Sequence, residues 1–172
     1  MKSLILYSST DGHTKKICDF INANTTKNNF EILSINNVLD FDLEKYELIV
    51  LGASIRYGKH KVEVLKFVNR NLETLNRKKN AFFSVNVVAR KPEKNSPDTN
   101  PYIKKFLKKT KWIPKKLGVF AGKVDYPKYN FFNRLIIRFI MLITKGPTDI
   151  TKSYEFTNWD DIKKFAQDLD NL

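Results

Sequence analysis

Residues 3–14 read SLILYSSTDGHT, and the fold is decided there. The apolar run from Leu4 to Tyr7 is stopped by Ser8, Ser9, Thr10, Asp11 and Gly12, and from about Thr14 to Asn24 the apolar residues Ile17, Phe20 and Ile21 recur at helical spacing. That is a buried strand, a polar loop and an amphipathic helix. The unit recurs downstream. Strands are expected at FEILSI (30–35), ELIVLGA (47–53), AFFSV (81–85) and LGVFAG (117–122), with helices from Val62 to Leu75, from Tyr102 to Lys109 and over TNWDDIKKFAQDL (157–169). In the last of these, Thr157 or Asn158 caps the first turn, and Asp160 and Asp161 suit its positive dipole end. Five strands joined through helices require crossover connections, which are right-handed and cover both faces of a parallel sheet. The expectation is a doubly wound five-stranded α/β sheet of order 2-1-3-4-5, with its ligand beyond the carboxyl ends of strands one and three.

With 172 residues and 42% hydrophobic content, the chain suits a single domain over 1–172. No secretory leader opens it, because its first apolar run is too short, and no stretch approaches the roughly 18 apolar residues of a spanning helix. A cytoplasmic protein is expected. The lone Cys18 falls on the first helix and reads as a packing residue. A net charge of +13 calls for an anionic partner: nucleic acid, anionic lipid or an acidic small molecule. No nucleic-acid recognition motif is recognised, and no nucleic-acid partner or metal is expected.

Ser9, Thr10, Asp11, Gly12, His13 and Thr14 lie between the first strand and its helix, where free backbone N–H groups and the helix dipole favour an anion. Three hydroxyls and a glycine are able to wrap a phosphate with no lysine in the loop. A second loop, GASIRYGK (52–59), follows the third strand and is presented beside the first. A third, SVNVVARKPEKNSPDTNPY (84–102), is too long and polar for a plain connection.

The string STDGHT resembles the phosphate loop of flavodoxins, which holds the monophosphate of FMN; Asp11 departs from the threonine often found there, so its side chain is expected to point away from the phosphate. Taken with GASIRYGKH, SVNVVARKPEK and YPKYNFFNRLIIRFIM, nearly the whole chain is similar to the menaquinone-dependent protoporphyrinogen dehydrogenase family. The resemblance implies that FMN is held by residues 9–14, by Ala53, Ser54, Ile55, Arg56, Tyr57 and Gly58, and by Ser84, Val85, Asn86, Val87, Val88 and Ala89. Tyr57 would stack on the flavin ring, and Gly58 would let the backbone approach it. It also implies removal of six electrons from protoporphyrinogen IX, in haem biosynthesis, and their passage to a membrane quinone. Arg56, Arg90 and Lys91 are then candidate partners for the substrate's two propionates. No acid–base residue stands out; His13 and His60 are the only histidines.

The segment 123–153 fits no element of the five-strand plan and reads as an insertion of about thirty residues. If 130–145 is helical, Asn130, Asn133, Arg134, Arg138, Thr144 and Lys145 form a narrow stripe shared with Ile137 and Met141. Phe131, Phe132, Leu135, Ile136, Phe139, Ile140, Leu142 and Ile143 cover the rest. Such a helix either packs on the domain or enters a lipid interface, with the basic residues of 123–145 and of Lys104–Lys123 drawn to an anionic surface. The expected location is the cytoplasmic side of the cell membrane, as a peripheral protein. The rival readings are an electron-carrying flavodoxin, which is typically acidic, and an FMN-dependent NAD(P)H:quinone reductase.

Overall fold

A computed structural model describes residues 2–37 and 42–172. Its central sheet is built from β1 (Lys2–Ser8), β2 (Asn29–Ser34), β3 (Leu48–Arg56), a two-residue β4 (Lys59–His60), β5 (Lys79–Asn86) and β6 (Lys116–Ala121). The parallel strands run β2-β1-β3-β5-β6, which is the expected 2-1-3-4-5 order of the five long strands, and β4 folds back antiparallel on the end of β3.

Side-chain alternation along the strands divides the core into two layers. Leu4, Leu6, Ile49, Leu51 and Phe82 face α2 (Val62–Arg70), α3 (Leu72–Arg77) and α4 (Pro101–Thr110), through Val64, Val68, Leu75, Ile103 and Phe106. Ile5, Val50, Ala81 and Phe83 face α1 (His13–Asn24) and α6 (Trp159–Leu169), through Ile17, Ile21, Ile162 and Phe165. Strands covered on both faces need no polar side, which is why they read as continuous apolar runs. Cys18 is fully buried in the second layer, and burial drives its thiol pKa upward.

The helix expected from Val62 to Leu75 is two helices. At Asn71 the side-chain Nδ2 donates to the Phe67 carbonyl at 2.8 Å, and the backbone N–H is shared between Phe67 and Val68. An asparagine that competes for the backbone in this way ends a helix. The starts of α4 and α6 follow their caps. Asn100 accepts from Tyr102 N and Ile103 N, and Asn158 accepts from Asp160 N, while Thr157 is engaged elsewhere.

Between β6 and α6 the chain forms β7 (Lys123–Asp125), α5 (Phe131–Ile143) and β8 (Ser153–Glu155). β7 and β8 pair antiparallel as a ribbon, Val124 opposite Tyr154, which closes the base of the insertion. Sequence periodicity did not reveal this ribbon, because three-residue strands carry too few alternations. Val124, Tyr126, Tyr129 and Met141 form a small core beneath α5.

Candidate functional site

The parallel register brings Ser8 beside Ala53, Ser54 beside Val85 and Asn86 beside Ala121, so the loops after β1, β3, β5 and β6 emerge along one edge. They surround a cavity of about 370 Å³, a size suited to a small-molecule ligand. Residues 9–14, Ser54, Ile55, Arg56, Tyr57, Gly58, Val85, Asn86, Val87 and Val88 all line it.

Five sequence-based candidates stand outside that lining. Ala53 and Ser84 are fully buried beneath the loops, where the Ser84 hydroxyl pairs with His60 Nε2 at 3.0 Å. Ala89 is buried, and its N–H donates to Asn86 Oδ1. Arg90 is corrected as an available carboxylate partner: its guanidinium donates to the carbonyls of Val87 at 3.0 Å and Thr144 at 2.7 Å, tying the loop after β5 to the end of α5. Lys91 lies beside it, half-buried and away from the cavity.

The loop after β1 is arranged for an anion. Gly12 begins α1 at φ +83°, a conformation that L side chains rarely adopt, and no side chain caps the helix. The first-turn N–H groups therefore have no intrahelical acceptor, and the first turn holds no acidic residue to compete. Thr14 is buried there, and the Ser8 hydroxyl, buried just below, has no hydrogen-bond partner. The one carboxylate in the loop, Asp11, is turned to Arg56. His13 Nε2 pairs with Thr157 Oγ1 at 2.7 Å, and burial lowers its pKa.

The opposite wall is aromatic and apolar. Arg56 lies over the rings of Tyr129 and Tyr57, 4.9 and 5.2 Å from their centroids. Tyr57, at φ +49°, hydrogen-bonds Asn133 on α5, which joins the β3–β4 turn to the insertion. Gly58 follows at φ +76° and completes that turn. The insertion supplies what sequence reasoning missed: Ile137, Ile140 and Met141 from α5, Tyr129 from the turn before it, and Lys123 and Asp125 from β7. Asp125 is held below the usual carboxylate range by the hydrogen bond from Ser153, with Lys123 adding to it. A signal existed for two of these residues. Ile137 and Met141 interrupt the polar stripe of α5, whose Asn133, Arg134 and Thr144 face the protein while Arg138 stays exposed.

That orientation reverses the usual arrangement of a surface helix. Asn133 meets Tyr57, Arg134 donates to the carbonyls of Tyr126 and Tyr129, and Thr144 accepts from Arg90, all on the inner side. The outer face exposes Phe131 (69%), Phe132 (75%) and Phe139 (62%), flanked by Leu135, Ile136, Leu142 and Ile143. Among the described residues no helix is long and apolar enough to cross a membrane, and no cluster of His, Cys, Asp or Glu is placed to hold a metal ion.

The chain matches the family described as Flavodoxin domain over residues 4–151. A relative from Leishmania major, named protoporphyrinogen IX dehydrogenase (quinone), is 45% identical over 98% of this chain and 74% of its own length. One of the same name from Escherichia coli K12 is 37% identical over 100% of this chain and 96% of its own. Among solved structures, a flavodoxin from the domain Archaea superposes with a TM-score of 0.55 at 16% identity, covering 99% of this chain and 97% of that one. Flavodoxin 2 of Bacillus cereus gives 0.52 at 18% identity, covering 96% and 95%. The two structures are likenesses of fold.

Proposed function

The chain belongs to the protoporphyrinogen IX dehydrogenase (quinone) family, built on a flavodoxin domain, and from that premise we propose that it binds FMN and works at a membrane surface. Its reaction is the oxidation of protoporphyrinogen IX to protoporphyrin IX, with the electrons passed to a quinone.

The residues present fit FMN. A terminal phosphate finds the uncapped start of α1 and the Thr10 and Thr14 hydroxyls, which line the cavity. The segments 54–58 and 85–88 flank the space for a planar ring system. When bound, FMN supplies a centre that takes electrons in pairs and releases them singly or in pairs. The chain's own work is to hold and shield. The loop after β1 anchors the phosphate, Asp11 keeps Arg56 in place at the cavity wall, and Ile137, Ile140 and Met141 exclude water from one side.

The observation that carries the membrane reading is the inverted α5. Ile137, Ile140 and Met141 line the cavity while three exposed phenylalanines face outward on the same helix, so an interface that buries the outer face lies one helix diameter from the site. At 13 residues α5 is about 20 Å long, too short to span a hydrocarbon core of about 30 Å, and suited to lying in its surface. A net charge of +13 adds attraction to anionic headgroups. The protein is therefore a peripheral one on the cytoplasmic face, where an apolar quinone is concentrated.

The test is anaerobic mixing of the flavin-loaded protein with protoporphyrinogen IX. Bleaching of the flavin band, followed by its return on adding a menaquinone analogue in vesicles, is expected. Bleaching by NADPH and not by the porphyrinogen would replace this reading with a nicotinamide-dependent quinone reductase.

A further inference from the structure

A second cavity, of about 460 Å³, lies on the other side of the β3–β4 turn. Ile55, Arg56, Tyr57, Gly58 and Tyr102 line both cavities, so one short hairpin and one tyrosine separate them. Its floor is apolar, formed by Ile55, Leu65 and Phe106, with the exposed Val62 at its margin. Its rim is cationic: Lys59 and Lys61 from β4 and the residue after it, and Lys105 and Lys109 from α4.

The charges of the two cavities differ in kind. Asp11, Asp125 and Glu155 line the first, whereas among the described residues no aspartate or glutamate lines the second. Lys61 donates to the Ser9 carbonyl and Arg56 is paired with Asp11. Among the described residues the side chains of Lys59, Lys105 and Lys109 have neither an ion-pair nor a hydrogen-bond partner, although the chain has acidic residues to offer elsewhere. Lys105 and Lys109 are four residues apart on α4 and so project from the same helix face, one turn from each other. An apolar floor with unpaired cations along one edge is complementary to a flat apolar molecule that carries carboxylates along one edge.

We propose that this second cavity is the tetrapyrrole site, with Lys105 and Lys109 receiving the two propionates and the macrocycle lying over Leu65 and Phe106 against the hairpin. The assignment rests on the proposed reaction, whose substrate has this shape and these charges. It also gives Arg56, Tyr57 and Gly58 a second role, as the partition between substrate and flavin. The same lysines that raise the net charge are thereby given a specific use, in place of a diffuse one.

The experiment titrates the flavin-loaded protein, free of lipid, with protoporphyrin IX and with its dimethyl ester, following the porphyrin's absorption and fluorescence. Three proteins are compared: wild type, Lys105→Glu/Lys109→Glu, and a control, Lys163→Glu/Lys164→Glu, which changes net charge equally on α6 across the sheet. Loss of two charge-assisted contacts is expected to raise the Kd for the diacid by about tenfold or more in the α4 pair. The control should change little, and the ester should bind all three alike. Equal diacid affinity in wild type and the α4 pair overturns the site, as does equal weakening in the control. A wild-type protein that turns over protoporphyrinogen while the α4 pair keeps its KM overturns the site and leaves the proposed reaction standing. Absence of both porphyrin binding and turnover in wild type overturns both.

Discussion

The Arg56 guanidinium stands 2.9 Å from the Asp11 carboxylate, joining the end of β3 to the loop that opens α1 across the mouth of the first cavity. The two side chains are only 16% and 35% exposed, so the pair is better shielded from water and salt than an ordinary surface ion pair. Arg56→Ala would leave an unpaired carboxylate beside the phosphate loop. It should weaken FMN binding by about 1 kcal/mol, or roughly fivefold in Kd. Adding Asp11→Asn should restore most of that loss, because the stranded charge is gone. Flavin fluorescence titration of the two single variants and the double variant measures the coupling; additive effects would mean that the pair does not act on the phosphate site.

Gly12 and Thr14 test the anion site itself. A Cβ at Gly12 would meet nothing within 4 Å, so the cost of Gly12→Val lies in its φ of +83° and not in a clash. Holding a β-branched residue there, or letting the loop relax away from it, costs about 1–3 kcal/mol, and Thr14→Ala removes a hydroxyl worth about 1 kcal/mol. The double variant should keep its far-UV circular dichroism and lose flavin affinity by about 100-fold. Unchanged affinity would remove the loop from the phosphate site.

The strand order, and the gathering of the three loops around one cavity, were legible because apolar runs, punctuated by polar loops, encode a parallel sheet covered on both faces. The loop after β1 was legible as a candidate anion site for a local reason: Gly12 and its hydroxyl neighbours stand where a strand meets a helix. The rest depended on contacts distant in sequence. Nothing near Arg90 signals that Thr144, 54 residues away, accepts its hydrogen bonds. The choice for α5 between packing on the domain and facing lipid was posed by its composition, and it does the first with its polar stripe while leaving its apolar face open. Lys105 and Lys109 were read as part of a basic stretch, because pairing α4 with β4 around a cavity takes the tertiary fold.

His60 sets a pH dependence. It is 5% exposed, its Nε2 pairs with Ser84, and Phe82 and Phe106 stand edge-on to its ring. Burial pulls its pKa from 6.5 down to about 4. Between those values the unfolded chain binds more protons on this group than the folded one, so stability rises with pH through the window. The contribution is full above about pH 6.5 and is lost as pH falls to about 4, an effect on the order of 3 kcal/mol. Urea midpoints at several pH values should fall across this range in wild type and fall less in His60→Gln, which keeps a polar group for Ser84. Parallel curves would assign the titration to other groups.

The exposed face of α5 is the feature whose removal should separate flavin binding from membrane work. Phe131, Phe132 and Phe139 make no contribution to the cavity lining, whereas Ile137, Ile140 and Met141 on the same helix do. Replacing the three phenylalanines with serine should therefore leave the yellow, folded protein intact. Deleting the helix would instead cut the links from Asn133 to Tyr57, from Arg134 to the turn at Tyr126–Tyr129 and from Thr144 to Arg90, and would open the cavity. Each phenylalanine moved from water into an apolar phase is worth about 1.5–3 kcal/mol, so losing three should lower partitioning onto vesicles by more than about 100-fold. Sedimentation with anionic vesicles reads that loss directly. Turnover with a water-soluble quinone should persist in the triple variant, while turnover with a long-chain quinone held in vesicles should fall with binding. If the variant sediments as wild type does, the basic surface alone holds the protein at lipid and the inverted helix has another partner. If it comes out colourless, the outer face supports the cavity after all.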